Sequence, residues 1–287
     1  MKPELECASC TLKWVYERAG VLAEREDRFL LSRSILKTLS KEFHSTANLG
    51  AMCNKVVEAA EQFMLASSKY YKPLKRESNR LAKELLPAAK KFIDEGNTNR
   101  GKFIRSCCLA ASSNIAPIGF SETLRFHEVK ELLTGKSPWP VVLGDVYEAA
   151  KKAKRVLYVT DNAGEIGFDS LLISKLKQMG SKVALVVREE PFFEDATTED
   201  ASFFRLDRLV DDLRTVKGLF VPPCSPSSLK NLLDQSDLVI SKGTGNFEAL
   251  RGEIKSKPAI FMLKVKCKPV AKITGQDVGI FVVQMNA

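Results

Sequence analysis

The hydrophobic pattern of the chain changes once, at about residue 155. Up to about residue 150, apolar side chains recur at the spacing of amphipathic helices, as in "NKVVEAAEQFMLASSKYY" and "NRLAKELLPAAKKFIDEG". From Arg155 onwards the chain carries short apolar runs rich in valine and isoleucine: "RVLYVT", "KVALVV", "GLFVPP", "DLVISKG", "AIFMLKV" and "GIFVVQM". We therefore divide the chain into two domains, 1–150 and 151–287.

The second domain has the pattern of a parallel sheet covered on both faces. Predicted helices separate most of the apolar runs, at 164–179, about 199–214, 226–235 and 246–254. Strands and helices that alternate in this way form βαβ units, whose strands are buried on both sides. The predicted fold class is α/β, with a helical N-terminal domain packed on a Rossmann-like three-layer domain whose sheet is mostly parallel.

Composition and charge argue against a membrane or nucleic-acid partner. Hydrophobic residues make up 45% of the 287 residues, which is enough for a substantial core. The net charge of +9 is spread through helical segments that also contain acids, and no nucleic-acid-binding signature is present. No apolar run approaches the roughly 20 residues that cross a bilayer. We expect a soluble, cytoplasmic protein without a membrane or nucleic-acid partner, and leave its oligomeric state open.

Seven cysteines, an odd number without a signal peptide, argue against a secreted disulfide framework. Only Cys7 and Cys10 have a suggestive spacing, C-x-x-C, which is half of a zinc site. No strand precedes them, as a thioredoxin-like motif would require. Packing, metal binding and redox chemistry all stay open, with Cys107, Cys108 and Cys267 as possible spatial partners.

Polar residues follow the predicted strands where ligands bind in open parallel sheets, at the carboxyl ends. The first strand ends at Asp161, Asn162 and Glu165, and Asp195 follows the second. Carboxylate and amide oxygens suit hard divalent cations such as Mg²⁺ or Mn²⁺. Both histidines fall in the helical domain, which disfavours an imidazole-rich zinc site and a Ser-His-Asp mechanism.

Groups suited to an anion follow two later strands. The turn "SKGTGNFEAL" offers backbone N–H groups to a phosphate at Gly243, Thr244, Gly245 and Asn246. In "MLKVKCKP", Lys264 and Lys266 have the alternate spacing that lets both face the same way, and a lysine there supplies a point charge for phosphate. Tight packing of the glycines and an edge-strand position of the lysines remain the alternatives.

Together these groups form a phosphate-handling set, in which Asp161 or Glu165 would be a nucleophile or a general base. The haloacid-dehalogenase motif D-x-D-G-T and the P-loop motif are both absent. The alternative function is a nucleotide- or sugar-phosphate-binding Rossmann module without hydrolysis. A third is a thiol-metal or redox protein built on Cys7 and Cys10.

The sequence also resembles a known family, the damage-control phosphatases, which are known as domain of unknown function 89. The opening "KPELECASCTLK" is similar to the small prokaryotic branch of this family, which carries an early C-x-x-C. The other resembling segments are "DNAGEIGFD" at 161–169, "EDATTEDA" at 194–201, "KGTGNFEAL" at 242–250 and "LKVKCKP" at 263–269.

The resemblance implies a helical domain on an α/β domain and a divalent metal, Mn²⁺, Co²⁺, Ni²⁺ or Mg²⁺, held by Asp161, Asn162 and Asp195. It places the substrate phosphate at the turn 243–246 and at a lysine of the K-x-K-C segment, for which Lys266 is preferred over Lys264. Glu165 would lie close by.

Two segments depart from the family pattern. The second motif often reads N-D-A-T, and here Glu194 replaces the asparagine while Asp195 is kept. The family's helical half often carries N-x-I-D, whereas Asn114 begins "NIAPIG", which has no aspartate. Asn114 is retained as a substrate-pocket candidate. The predicted function is a metal-dependent phosphatase acting on small phosphorylated metabolites, such as sugar phosphates or damaged phosphate esters.

Overall fold

The strand that begins at Arg155 has both of its faces buried. Val156 and Tyr158 belong to one hydrophobic cluster, and Leu157 and Val159 belong to another. Because successive side chains of a strand point to opposite faces, these clusters lie on the two sides of the sheet. Neighbouring strands and the helices on either side supply the rest of each cluster, so the predicted three-layer α/β architecture is confirmed.

The structure is a computed structural model that describes residues 1–114, 126–190 and 192–286, without the side chains of 65–67. In this part of the chain the sheet has seven strands in the order β1-β7-β6-β5-β2-β3-β4. Neighbouring strands are parallel except β6 and β7, so the sheet is mostly parallel, as predicted. The strands are β1 (Val141–Leu143), β2 (Arg155–Val159), β3 (Lys182–Arg188), β4 (Asp212–Val216), β5 (Leu238–Lys242), β6 (Ala259–Lys264) and β7 (Phe281–Met285).

The helices of the N-terminal part cover both faces of the sheet. They are α1 (Cys7–Ala19), α2 (Arg25–Glu42), α3 (Leu49–Asp94), α4 (Asn99–Ser112), α5 (His127–Leu133) and α6 (Val146–Lys152). The first three pack on the face that carries Leu157, and α4 and α6 pack on the opposite face. Asn48 caps α3 by accepting a hydrogen bond from the amide of Ala51 at 3.1 Å.

The later helices are α7 (Glu165–Gln178), α8 (Thr198–Phe203), α9 (Leu206–Leu209), α10 (Ser227–Gln235), α11 (Thr244–Leu250) and α12 (Lys268–Thr274). The last three join α1, α2 and α3 on one face, and α7 lies on the other. No helix in the described ranges combines the length and the apolar composition needed to cross a membrane.

The prediction of a strand at "GLFVPP" is wrong. The strand in this part of the sheet is β4 at Asp212–Val216, which overlaps the end of the segment predicted as a helix over about 199–214. Because β4 is an edge strand that pairs only with β3, it tolerates charged residues that hide its alternation. Pro222 and Pro223 have no amide hydrogen to donate, and Pro222–Cys224 forms a 3₁₀ turn instead.

One strand of the sheet precedes the domain boundary predicted at residue 150. The three residues of β1 pair with β7, in a region where the sequence predicts helix alone. A strand this short has too few residues to show an alternating pattern. The division into 1–150 and 151–287 stays a prediction.

The order of the parallel strands reverses between β2 and β5. From β2 the chain moves to β3 and β4 on one side, and β5 and β6 lie on the other. Helices that leave such a pair of strands in opposite directions open a crevice at their carboxyl ends. Asp161 follows β2 and Gly243 follows β5, so both residues lie at this crevice.

Candidate active site

The turns that follow β2 and β3 are joined by backbone hydrogen bonds. The amide of Ala196 donates to the carbonyl oxygen of Asp161 at 2.7 Å, and Asn162 forms an isolated antiparallel bridge with Asp195. This pairing brings together Asp161, Asn162 and Asp195, the three predicted metal ligands. All three line one cavity with a volume of about 250 Å³.

One side-chain oxygen of each predicted ligand is left free. Oδ2 of Asp161 accepts from the Nδ2 atoms of Asn114, at 2.7 Å, and of Asn162, at 3.1 Å. Oδ2 of Asp195 accepts from Nε of Arg188 at 2.6 Å. Among the described residues, no group donates to Oδ1 of Asp161, Asn162 or Asp195. Three residues that line one cavity, each with a side-chain oxygen that accepts no hydrogen bond from the described residues, are suited to a hard divalent cation.

Two buried acids at the site have raised pKa values, and a cation beside them would lower these values. Burial raises the pKa of Asp195 to about 7; Arg188 opposes this change and Asp161 adds to it. Burial likewise raises the pKa of Glu165 to about 8, against the effect of Lys242 and with that of Asp161. A cation beside these carboxyl groups would favour their charged forms.

The predicted metal-ligand set contains few acidic side chains. In the ranges that the structure describes, no three His, Cys, Asp or Glu side chains are arranged to hold a metal ion. The predicted ligand set has only two such side chains, Asp161 and Asp195, and depends on the amide oxygen of Asn162 for its third ligand. The donors fit a cation that prefers oxygen and keeps several water ligands, as Mg²⁺ does.

Asn114 connects the end of α4 to the candidate site. Its Nδ2 atom donates to Asp161 and lies 3.1 Å from Oε2 of Glu165, while its Oδ1 atom accepts from the amide of Lys264 at 3.2 Å. Asn162 also donates to Oε1 of Glu165 at 2.6 Å. Asn114 and Glu165 therefore lie beside the predicted metal ligands. The remainder of "NIAPIG", from Ile115 on, lies outside the described residues.

The residues of the glycine turn after β5 differ in whether they line the cavity. Thr244 and Gly245 line the cavity, and Gly243 lies against the carboxylate of Asp161. Asn246, in contrast, is fully buried, and its Nδ2 atom donates to the carbonyl oxygens of Thr160 at 2.7 Å and Lys242 at 2.8 Å. The side chain of Asn246 therefore holds β2 and β5 together and does not line the cavity.

Lys264 and Lys266 face different partners, unlike the expectation from their alternate spacing. Lys266 lines the cavity. Nζ of Lys264 lies 3.3 Å from Oε1 of Glu128, with which it forms an ion pair. Because β6 ends at Lys264, the alternation of side chains along a strand does not extend to Lys266.

The rest of the cavity wall combines aromatic, aliphatic and sulfur-containing side chains with polar and charged ones, namely Glu6, Thr11, Arg18, Glu194 and Glu248. Trp14 of α1 and Phe192 of the β3–α8 loop lie with ring centroids 6.0 Å apart. Leu49 and Leu219 add aliphatic surface. Two larger depressions, of about 590 and 480 Å³, lie on α3 and α2 and contain none of the predicted site residues.

Four thiols line this cavity: Cys7, Cys10, Cys53 and Cys267. The C-x-x-C pair occupies the first turn of α1, and burial raises the pKa of both of its thiols. Of the predicted spatial partners only Cys267 lies here, because Cys107 and Cys108 are buried within α4. The function of the C-x-x-C pair stays a prediction.

Several buried residues around the site were not predicted, among them Asn79, Asp169, Arg188 and Lys242. Arg188 donates to Asp195 at 2.6 Å and to Oδ1 of Asn246 at 3.0 Å. Asn79 accepts from the amide of Gly164 at 2.7 Å, which fixes the turn from α3. Arg188 and Lys242 end apolar strand runs, a signal that could have identified them, whereas the helical pattern around Asn79 contains none.

Comparison with known proteins supports a specific relationship. The family model of the damage-control phosphatase ARMT1-like domain matches residues 4–280. A damage-control phosphatase from Archaeoglobus fulgidus is 30% identical over 97% of both chains. An uncharacterised protein from Methanocaldococcus jannaschii is 30% identical over 97% of this chain and 94% of its own.

A solved structure agrees with these matches. The crystal structure of a protein of the domain of unknown function 89 family from Pyrococcus horikoshii superposes with a TM-score of 0.82. The two sequences are 26% identical, and the superposition covers 100% of both chains.

Proposed function

This chain belongs to the damage-control phosphatase ARMT1-like family, and we propose that it is a cytoplasmic, metal-dependent phosphatase that hydrolyses small phosphorylated metabolites. One observation carries the proposal: Asp161, Asn162 and Asp195, whose Oδ1 atoms accept no hydrogen bond from the described residues, line the same cavity as Lys266 and Gly245. A cation site and a phosphate site would then be neighbours.

We propose that Asp161, Asn162 and Asp195 hold the cation through these oxygens. Mn²⁺, Co²⁺, Ni²⁺ and Mg²⁺ are the candidates, since an oxygen donor set with room for water ligands accommodates each of them. When bound, the cation would supply Lewis-acid polarisation of a phosphoryl oxygen.

The residues of the chain would orient the substrate and move the proton. Lys266 and the turn at Thr244 and Gly245 would hold the phosphoryl group, because an ammonium and backbone amides stabilise its negative charge. The Glu165 carboxyl group accepts hydrogen bonds from Asn114 and Asn162, and its pKa is raised to about 8. A group that holds its proton near neutral pH is suited to general acid–base catalysis, which we assign to Glu165.

The volume of the cavity supports a compact substrate. It measures about 250 Å³, below the roughly 300–1,000 Å³ of sites that take drug-sized ligands. Trp14 and Phe192 would contact the part of the substrate that is not phosphate. Sugar phosphates and small damaged phosphate esters fit this description better than dinucleotides do.

The alternative is a module that binds a nucleotide or sugar phosphate without hydrolysing it, because the same lysine and amides would hold a phosphate in either case. The two functions differ in turnover. Metal-stripped protein would be assayed for phosphate release from p-nitrophenyl phosphate and a panel of sugar phosphates, with Mn²⁺, Co²⁺, Ni²⁺ and Mg²⁺ restored singly.

We expect turnover that requires a cation, that is lost in Asp161→Asn, and that is retained in the control Asp207→Asn, since Asp207 is exposed on α9. Binding of these esters without phosphate release in the presence of any cation would favour the binding module. Full turnover after metal removal would refute the metal dependence.

A further inference from the structure

The side chain of Lys242, the last residue of β5, is fully buried. Its Nζ atom lies 2.8 Å from Oδ1 of Asp169, 3.3 Å from Oε2 of Glu165 and 3.5 Å from Oγ of Ser113. An ammonium has three N–H donors, so these three acceptors can satisfy all of them. A buried charge with every donor in use is held in one position.

One carboxylate would be enough to neutralise this ammonium, yet two are present. Asp169, on α7, makes the shorter contact and is completely buried. Glu165, one turn earlier on α7, makes the longer contact and accepts a hydrogen bond from Asn162, which lines the cavity. The ion pair with Asp169 therefore holds Lys242 in place, and Lys242 in turn contacts Glu165.

Both oxygens of the Glu165 carboxylate accept hydrogen bonds. Lys242 contacts Oε2 at 3.3 Å, and Asn114 donates to the same oxygen at 3.1 Å. Asn162 donates to Oε1 at 2.6 Å. These donors allow one orientation of the carboxylate, and without Lys242 only the two amides would hold it.

We propose that Lys242 is a positioning residue for phosphate-ester hydrolysis, and that Asp169 acts by holding Lys242 in place. Lys242 would fix the carboxyl group of Glu165 at the distance from the substrate that proton transfer requires. This inference rests on the proposed function, because the position of Glu165 affects turnover only if the cavity hydrolyses phosphate esters.

A merely structural ion pair makes a different prediction from a positioning residue. Lys242→Met alone leaves Asp169 and Glu165 buried without their counter-ion, so this variant should be strongly destabilised. Lys242→Met combined with Asp169→Asn removes one positive and one negative charge and keeps similar volumes. The double variant should recover the part of the stability that the unpaired Asp169 cost, while Glu165 still lacks its contact.

The experiment compares the wild type, the double variant and a control double variant, Lys217→Met with Glu61→Gln. Lys217 and Glu61 form an exposed ion pair 2.7 Å long, outside the cavity. Thermal unfolding, Mn²⁺ binding by calorimetry, and kcat and KM for a phosphate ester are measured for each protein.

We expect the Lys242→Met, Asp169→Asn protein to unfold within a few degrees of the wild type and to keep its Mn²⁺ affinity and KM within about threefold. Its kcat should fall by about 100-fold or more, the size of a lost general acid–base contribution. The control should match the wild type in every measurement. A double variant with wild-type stability and wild-type kcat would overturn the inference.

A second variant keeps the inference testable if the double variant fails to fold. Glu165→Asp leaves the ion pair of Lys242 with Asp169 intact but withdraws the carboxylate by one methylene. We expect a folded protein with a similar loss of kcat, and unchanged kcat would contradict the positioning role. Absence of turnover in the wild type with every cation would refute the proposed function itself, together with this inference.

Discussion

The carboxylate of Asp161 fills the space in which a side chain at Gly243 would lie. A Cβ atom built on Gly243 would come closer than 3.0 Å to both carboxylate oxygens of Asp161, a distance that real Cβ contacts do not show. The contact joins the end of β2 to the end of β5 across the crevice. Gly243 also has a φ of 82°, in the region that favours glycine.

Gly243→Ala should therefore displace the Asp161 carboxylate and remove cation-dependent hydrolysis. The positive φ adds backbone strain of about 1–3 kcal/mol, so the unfolding temperature should fall as well. Hydrolysis, Mn²⁺ binding and thermal unfolding are the measurements. The control is Gly252→Ala, where an added Cβ meets no atom within 4 Å. Wild-type activity in Gly243→Ala would show that the close approach is dispensable.

Substitution of the two lysines of the K-x-K-C segment should have unequal effects. Lys266→Met should raise KM for phosphate esters by about 10- to 100-fold, because a charge-assisted hydrogen bond contributes about 1.5–3 kcal/mol. Lys264→Met should leave KM within about twofold, since the ammonium of Lys264 pairs with Glu128. Steady-state kinetics measure both variants, and the opposite ranking would assign the phosphate contact to Lys264.

Asn79→Ala should destabilise the protein although Asn79 lies on α3, far in sequence from the strand ends. Asn79 accepts from the amide of Gly164 and donates to Oδ1 of Asp200, both at 2.7 Å. Leaving buried partners unpaired costs about 1–3 kcal/mol, which urea unfolding measures. The control is Arg76→Gln, which breaks an exposed ion pair with Glu199 and should cost less than about 1 kcal/mol. Equal losses in the two variants would contradict this assignment.

The stability of the metal-free protein should fall as the pH rises from about 5 to 8. Burial raises the pKa of Glu165 to about 8 and of Asp195 to about 7, above their ordinary values of 4.5 and 3.8. In this window the folded chain binds more protons than the unfolded chain, so the free energy of unfolding decreases with pH. Glu165→Gln should weaken this dependence.

Saturating Mn²⁺ should flatten the same pH dependence, because a bound cation favours the ionised carboxylates and replaces their protons. Thermal unfolding at pH 5, 6, 7 and 8, with and without Mn²⁺, is the measurement. An unfolding temperature of the metal-free protein that stays constant or rises between pH 5 and 8 would contradict the prediction.

Local patterns predicted the parts of the fold and site that depend on neighbouring residues. The central strands have apolar runs long enough to recognise, and the acids at Asp161 and Asp195 interrupt them at the ends where parallel sheets open. For the same reason the sequence could place Lys264 and Lys266 together near the crevice, whereas the preference for Lys266 came from the family resemblance. The chemical roles of these residues, including metal binding, stay predictions.

The remaining features depend on contacts between distant parts of the chain. Nothing around Asn79 marks it as the partner of Gly164, because the surrounding helix looks like any amphipathic helix. In the sequence, Lys242 is only a polar residue at the end of a strand. In the structure it is completely buried and pairs with two acids of α7. Asn246 belongs to a turn that resembles an anion site, yet its amide group bonds to the strands.

Calorimetric titration of Mn²⁺ into metal-stripped protein tests the central claim most directly. We expect one cation per chain in the wild type and in Asp207→Asn. Binding should be weaker by about 100-fold or more in Asp161→Asn, since loss of a charged ligand should cost at least as much as the 10- to 100-fold of an outer partner. Equal Mn²⁺ affinity in Asp161→Asn and the wild type would contradict a cation site at Asp161.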